Sequence, residues 1–254
     1  MTAARGAVRG GDGGAVRSRP VVAVGHRGDP YRVRENTLPS VRSALERGAD
    51  AVEIDVRVTR DGVPVLLHDS SLKRLWGHDR AVADITHTDL NDLTRGGVPT
   101  LQEVLRAPGP VSEARLMVDL PDSRKETVDA VVETVRECGA GDRAYYCAGA
   151  EAMLAVRAAD PGAEIAMTWQ SLAPPRPALL EAVRPRWLNY RFGLVSRELT
   201  ERVHRDGFLV SAWTADTGRS MRRLVGAGVD SITTNRIDTL ANLLRSDRLS
   251  RPKA

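Results

Sequence analysis

The chain is 254 residues long, 42% hydrophobic and 28% charged, with a formal net charge of +4. That composition supplies one large core, and about 250 residues is a common size for an α/β barrel made as a single domain. It contains no run of about 18 apolar residues, which excludes a membrane-spanning helix. The basic residues are scattered and aromatic residues make up only 4%, which excludes a nucleic-acid surface built from a basic stripe and stacking platforms.

Residues 1–20, rich in Gly and Arg, lack the apolar segment of a secretory signal and are expected to form a disordered extension, with the protein cytoplasmic. Residues 247–254 are expected to be a flexible basic tail. Cys138 and Cys147 have no metal-ligand spacing and are expected in the core.

After the extension, Val21 to Gly25 reads as a short buried strand that ends in the turn His26-Arg27-Gly28. A helix over 38–48 follows, with Leu38, Val41 and Leu45 on one face, and stops at Gly48. Next come two extended runs from Asp50 to Asp69, joined by Asp61-Gly62, a dipeptide suited to a two-residue hairpin turn. With that turn Arg60 faces Val63 and Asp55 lies opposite His68, and the strand period of two puts Glu53 on the face of Asp55. An exposed hairpin with one polar face would also carry these residues. Against it, Glu53 and Asp55 are embedded among Ala51, Val52, Ile54, Val56 and Val58, and buried carboxylates require a cation.

Residues 70–99 are polar and turn-rich, and read as an insertion. Alternation then resumes with helix 100–106, strand 115–120, helix 124–138, strand 143–147, helix 150–158 and strand 164–169. It continues with helix 177–183, strand 186–190, helix 197–206, strand 208–213, helix 217–226, strand 229–233 and helix 238–245. Counting the hairpin as one barrel strand with an excursion gives eight strands, near 22, 54, 117, 145, 166, 188, 210 and 231. The expected fold is therefore a closed α/β (β/α)8 TIM barrel over 21–246 with a small insertion after strand two. An open doubly wound sheet would need a Gly-rich fingerprint after the first strand, and His26-Arg27-Gly28-Asp29 offers one glycine.

In such barrels the reactive groups project from the C-terminal ends of strands. Those ends carry His26 and Arg27, Glu53 and Asp55 with His68 beside them, Asp119, Trp213 and Asn235. Three carboxylates suit one hard divalent cation, Mg²⁺ or Ca²⁺, and two histidines suit an acid and a base. Arg27 can hold two phosphoryl oxygens in a fork. Taken singly, His26 would be a satisfied core histidine, Asp119 the start of a turn and Trp213 barrel packing. The set at one rim suits phosphodiester cleavage. His78, His87 and His204 are assigned to the core or surface.

The ordered motifs His26-Arg27-Gly28, Glu35-Asn36-Thr37, Glu53-Ile54-Asp55 and His68-Asp69 resemble those of the glycerophosphodiester phosphodiesterase family. Leu72-Lys73-Arg74, Val98 to Leu105, Ala212-Trp213-Thr214 and Gly228 to Ile232 extend the likeness from about Val21 to Leu244. The resemblance implies a metal held by Glu53, Asp55 and Asp119, and acid-base catalysis by His26 and His68. It further implies substrate contacts from Arg27, Asn36 and Trp213. The substrate would be a small glycerophosphodiester cleaved to an alcohol and sn-glycerol 3-phosphate, through attack by a vicinal hydroxyl and a cyclic phosphate.

The chain departs from that pattern in three places. Asp119-Leu120-Pro121 replaces a Glu-x-Lys triplet, Asn235 replaces an Asp, and Tyr146-Cys147-Ala148 stands where Ser-Phe is common. Two alternatives follow. One is a lysophospholipase D or sphingomyelinase D-like lipid activity with transient lipid contact, for which Leu72, Leu75 and Trp76 are isolated apolar candidates. The other is a catalytically weak barrel that binds phosphorylated ligands.

Overall fold

The structure, a computed structural model, describes residues 20–250. The expected N-terminal extension up to residue 19 and the last four residues of the expected tail lie outside the described residues.

Nine strands form: β1 (Val22–His26), β2 (Ala51–Val58), β3 (Pro64–Leu66), β4 (Arg115–Asp119), β5 (Ala144–Ala148), β6 (Ile165–Thr168), β7 (Trp187–Arg191), β8 (Leu209–Trp213) and β9 (Ser231–Thr234). All except β3 run parallel, and β1 pairs with both β2 and β9, so eight strands close into a barrel. These are the eight expected from the sequence. A helix follows each of them, and the barrel helices start and stop close to the expected positions, as at Pro177–Val183 and Lys125–Glu137. The last helix, Ile237–Ser250, runs beyond 245 into the stretch expected as a flexible tail. Among the described residues no helix is long and apolar enough to cross a membrane.

Strand alternation divides the side chains into two sets. Ile54, Val56, Leu116, Val118 and Ile165 join helix residues such as Val128, Val131 and Met153 in the main core between barrel and helices. Met117, Tyr145, Cys147, Ala166 and Trp187 form a second cluster inside the barrel. Toward the C-terminal ends the inward positions become polar, with Asp55, Asp119 and Cys147 side by side in register on β2, β4 and β5.

The hairpin corrects the expected register. Val56 pairs with Leu66, Arg57 with Val65 and Val58 with Pro64, so the loop is Arg60-Asp61-Gly62 rather than two residues. Asp55 therefore lies beside Leu67, whose N–H donates to its carbonyl at 3.0 Å, and not opposite His68. A slip of one residue reverses every face. Thr59 is the physical cause. Its hydroxyl donates to Asp61 at 2.6 Å and accepts from the Val63 N–H at 3.0 Å, and Gly62 at φ 85° closes this wider turn. The shifted register sends Val65 and Leu67 into a small separate core with Leu72, Val82, Ile85, Leu90 and Val98, which anchors the insertion. Leu72 is fully buried there, so it is no surface for lipid.

Candidate active site

The turn after β1 is tightly specified. Arg27 and Gly28 both take left-handed backbone, at φ 55° and 87°. A Cβ on Gly28 would lie 2.3 Å from the Ser40 hydroxyl oxygen and 2.5 Å from the Ser40 carbonyl carbon. Only glycine fits this approach between the turn and helix Leu38–Glu46. Gly28→Ala is expected to lose at least about 2 kcal/mol of stability, measured by chemical denaturation. An unchanged midpoint would mean that the helix gives way freely.

The turn aims Arg27 inward. Its N–H donates to Glu53 at 2.9 Å, its Nη1 to Glu35 at 2.9 Å, and its Nε lies 3.2 Å from Asp55 as an ion-pair contact without hydrogen-bond alignment. Glu53 and Asp55 are 5% and 2% exposed. One oxygen from each of Glu53, Asp55 and Asp119 lies within 4.8 Å of the others. Burial, then the neighbouring Asp55 and Asp119, push Glu53 well above the usual carboxylate range. Burial and Asp55 push Asp119 up to about 7. Three crowded carboxylates, Glu53 and Asp55 buried and Asp119 partly exposed to the cavity, are a donor set that a hard divalent ion would neutralise, so the residues fit Mg²⁺ or Ca²⁺.

Asn36, expected to contact substrate, is 1% exposed and holds Asp55 from two sides. Its Nδ2 donates to the Asp55 carboxylate at 2.7 Å, and its Oδ1 accepts the Asp55 N–H at 3.1 Å.

The two histidines are held differently. Nδ1 of His26 lies 2.7 Å from Oδ1 of Asn235, whose Nδ2 donates to Asp216 at 2.8 Å. Because Asp216 fixes the amide, Asn235 presents an oxygen that can only accept, and the hydrogen of His26 sits on Nδ1. Nε2 is left toward the carboxylates, 3.9 Å from Glu53. Burial and the Arg27 charge hold His26 below its ordinary value. Nδ1 of His68 lies 2.7 Å from Asp69. Register does not bring His68 to the site; the Arg57 guanidinium does, with Nε and Nη2 donating to the His68 carbonyl at 2.8 and 2.6 Å. Asp69 is held down to about 2, first by the hydrogen bond from Arg74.

His26, Arg27, Glu53, Asp55, His68, Asp119 and Trp213 all line one cavity of about 340 Å³. Of the residues expected at the rim, Asn36 and Asn235 stand behind it, Asn36 on Asp55 and Asn235 on His26. Trp213 presents a buried Nε1 with no hydrogen-bond partner among the described residues. Pro121 lies on the wall, which also carries Cys147, Thr168 and Asn189, where Asn189 donates to the other two at 3.1 and 3.2 Å. Sequence reasoning missed Asp216, Arg57 and Arg74. Arg74 lay within a quoted motif, but nothing in the spacing pointed to the partners of any of the three.

The model of the Glycerophosphoryl diester phosphodiesterase family matches residues 26–239. A glycerophosphodiester phosphodiesterase of Caldanaerobacter subterraneus is 28% identical over 241 residues, covering 88% of this chain and 98% of its own length. The crystal structure of the Thermotoga maritima glycerophosphodiester phosphodiesterase superposes with a TM-score of 0.75 at 25% identity, covering 88% of this chain and 98% of that one. An Oleispira antarctica phosphodiesterase, solved in complex with the product sn-glycerol-3-phosphate, shares the fold at a TM-score of 0.77 and 23% identity, covering 88% and 96% of the two chains.

Proposed function

Since this chain belongs to the glycerophosphoryl diester phosphodiesterase family, we propose that it hydrolyses glycerophosphodiesters to a free alcohol and sn-glycerol 3-phosphate. The observation that carries the reading is the pair of imidazoles, each tied through Nδ1, in one cavity with a triad of crowded carboxylates. A divalent ion held by Glu53, Asp55 and Asp119 would offset negative charge on the phosphoryl oxygens.

Arg27 reaches the same cavity and binds the phosphoryl group. The glycerol hydroxyl next to the ester attacks phosphorus, forming a P–O bond as the bond to the leaving alcohol breaks. Tethering gives that hydroxyl a high effective concentration. His26 accepts its proton at Nε2, since Nδ1 already carries a hydrogen held by Asn235. His68 gives a proton from Nε2 to the departing oxygen, with Asp69 as counter-charge behind the ring. Water then opens the cyclic phosphate with the two roles reversed. Trp213 offers its unpartnered Nε1–H to an ester oxygen.

The test is a panel of glycerophosphodiesters assayed for released glycerol 3-phosphate with Mg²⁺, with Ca²⁺ and in excess chelator. Turnover that depends on one of the ions is expected, and full activity in chelator would remove this mechanism. Tyr31 and Leu172, 64% and 59% exposed, sit in loops that leave the C-terminal ends of β1 and β6. Those two side chains favour a lipid substrate as the second reading, so lysolipids belong in the panel. Faster turnover of a lysolipid than of any soluble diester would move the substrate to that class.

A further inference from the structure

We infer that Arg74, in the insertion, is a positioning residue that sets the proton donor His68 and the phosphate-binding Arg27 together. The inference rests on the roles proposed above. Five charged or ionisable side chains form an unbroken chain over the mouth. His68 Nδ1 lies 2.7 Å from Asp69 Oδ1; Arg74 donates to Asp69 from Nε at 2.5 Å and from Nη2 at 3.2 Å. On its other edge Arg74 donates to Glu35 from Nη2 at 2.6 Å and from Nη1 at 3.2 Å, and Glu35 accepts from Arg27 Nη1 at 2.9 Å. One guanidinium thus grips two carboxylates, and each carboxylate holds a different residue of the cavity.

Stability alone is a weak reason for this arrangement. The Arg74 side chain is 46% exposed, and exposed ion pairs contribute little. Its helix, Lys73–Trp76, is a single turn with no side-chain cap. What the contact does fix is orientation. Asp69 can keep the hydrogen of His68 on Nδ1 only if its own rotamer is held, and Glu35 sets how far Arg27 reaches past Asp55. The geometry needs both edges of a planar fork, so lysine is not an equivalent. The insertion thereby gains a task at the reaction centre: its first turn joins the end of β1 to the segment after β3.

The experiment compares two glycerophosphodiesters, one with an alkyl leaving group and one with p-nitrophenol, which leaves without a proton. Arg74→Met is expected to lower kcat on the alkyl ester roughly 10-fold or more, with a much smaller loss on the p-nitrophenyl ester, and to raise KM for both. In a His68→Ala background the kcat effect of Arg74→Met should vanish while the KM effect stays. Asp69→Asn should reproduce the leaving-group-dependent part and Glu35→Gln the KM part; these single variants also carry the test if Arg74→Met does not fold. Equal losses on both esters, or an undiminished kcat loss without His68, would overturn the inference. If the wild-type protein cleaves neither ester, the proposed function fails separately. The positioning claim is then read from the ¹⁵N shifts of the His68 ring, and shifts unchanged by Arg74→Met would overturn it.

Discussion

His26→Ala and His68→Ala are each expected to lower kcat for an alkyl glycerophosphodiester by at least about 10². The two losses have different characters. In the proposed mechanism His26 takes the proton of the attacking hydroxyl, a step required whatever alcohol leaves, so its loss is expected to persist with a p-nitrophenyl ester. In the same proposal His68 protonates the leaving oxygen, so its loss is expected to shrink when that oxygen departs as a stable phenolate. The assignment follows from the groups behind the rings. His26 is backed by the amide oxygen of Asn235, which is locked by Asp216, and His68 by the carboxylate of Asp69. Steady-state kinetics on both esters checks it. Wild-type rates in either variant would end the two-histidine mechanism, and the reverse leaving-group pattern would exchange the roles.

The second large effect lies in stability and follows from the crowding of Glu53, Asp55 and Asp119. Without an ion, burial and then the neighbouring Asp55 push Asp119 up to about 7, and burial and then Asp55 and Asp119 raise Glu53. A carboxyl raised in the folded state favours folding while protonated. That contribution is fully present below the ordinary carboxylate range and is lost as pH rises through about 7. The ion-free protein is therefore expected to lose stability between pH 5 and 8, on the order of a few kcal/mol. Adding Mg²⁺ or Ca²⁺ replaces the missing protons, so the rise in Tm on adding the ion should be larger at pH 8 than at pH 5 by roughly 5 °C or more. Asp119→Asn should raise the Tm of the ion-free protein at pH 8 and remove most of the gain from the ion. Equal Tm gains at both pH values would show that the triad does not hold the ion.

The barrel was legible because strand and helix signals alternate from β1 to the final helix, interrupted only by the hairpin and the insertion at 70–99. Glu53 and Asp55 were legible because they lie within an apolar strand, where a buried carboxylate requires a cation, and Asp119, which taken singly reads as the start of a turn, because it ends a strand at the same rim. The hairpin register was misread because Asp61-Gly62 serves a two-residue turn and a three-residue turn equally well. The Thr59 hydroxyl, bonded to both Asp61 and Val63, decided between them. Asn36 was placed at the substrate on the family resemblance of Glu35-Asn36-Thr37. Only packing shows it spending both ends of its amide on Asp55.

Local periodicity along the chain is enough to give the eight barrel strands, and with them the residue types that fall at their C-terminal ends. Tertiary structure alone decided which partner stands behind each of those residues. Arg74 meets Glu35 across 39 positions and Asn235 meets His26 across 209. Contacts so distant in the chain depend on how closing the barrel and docking the insertion bring the segments together, and no pattern of neighbours along the chain encodes that distance.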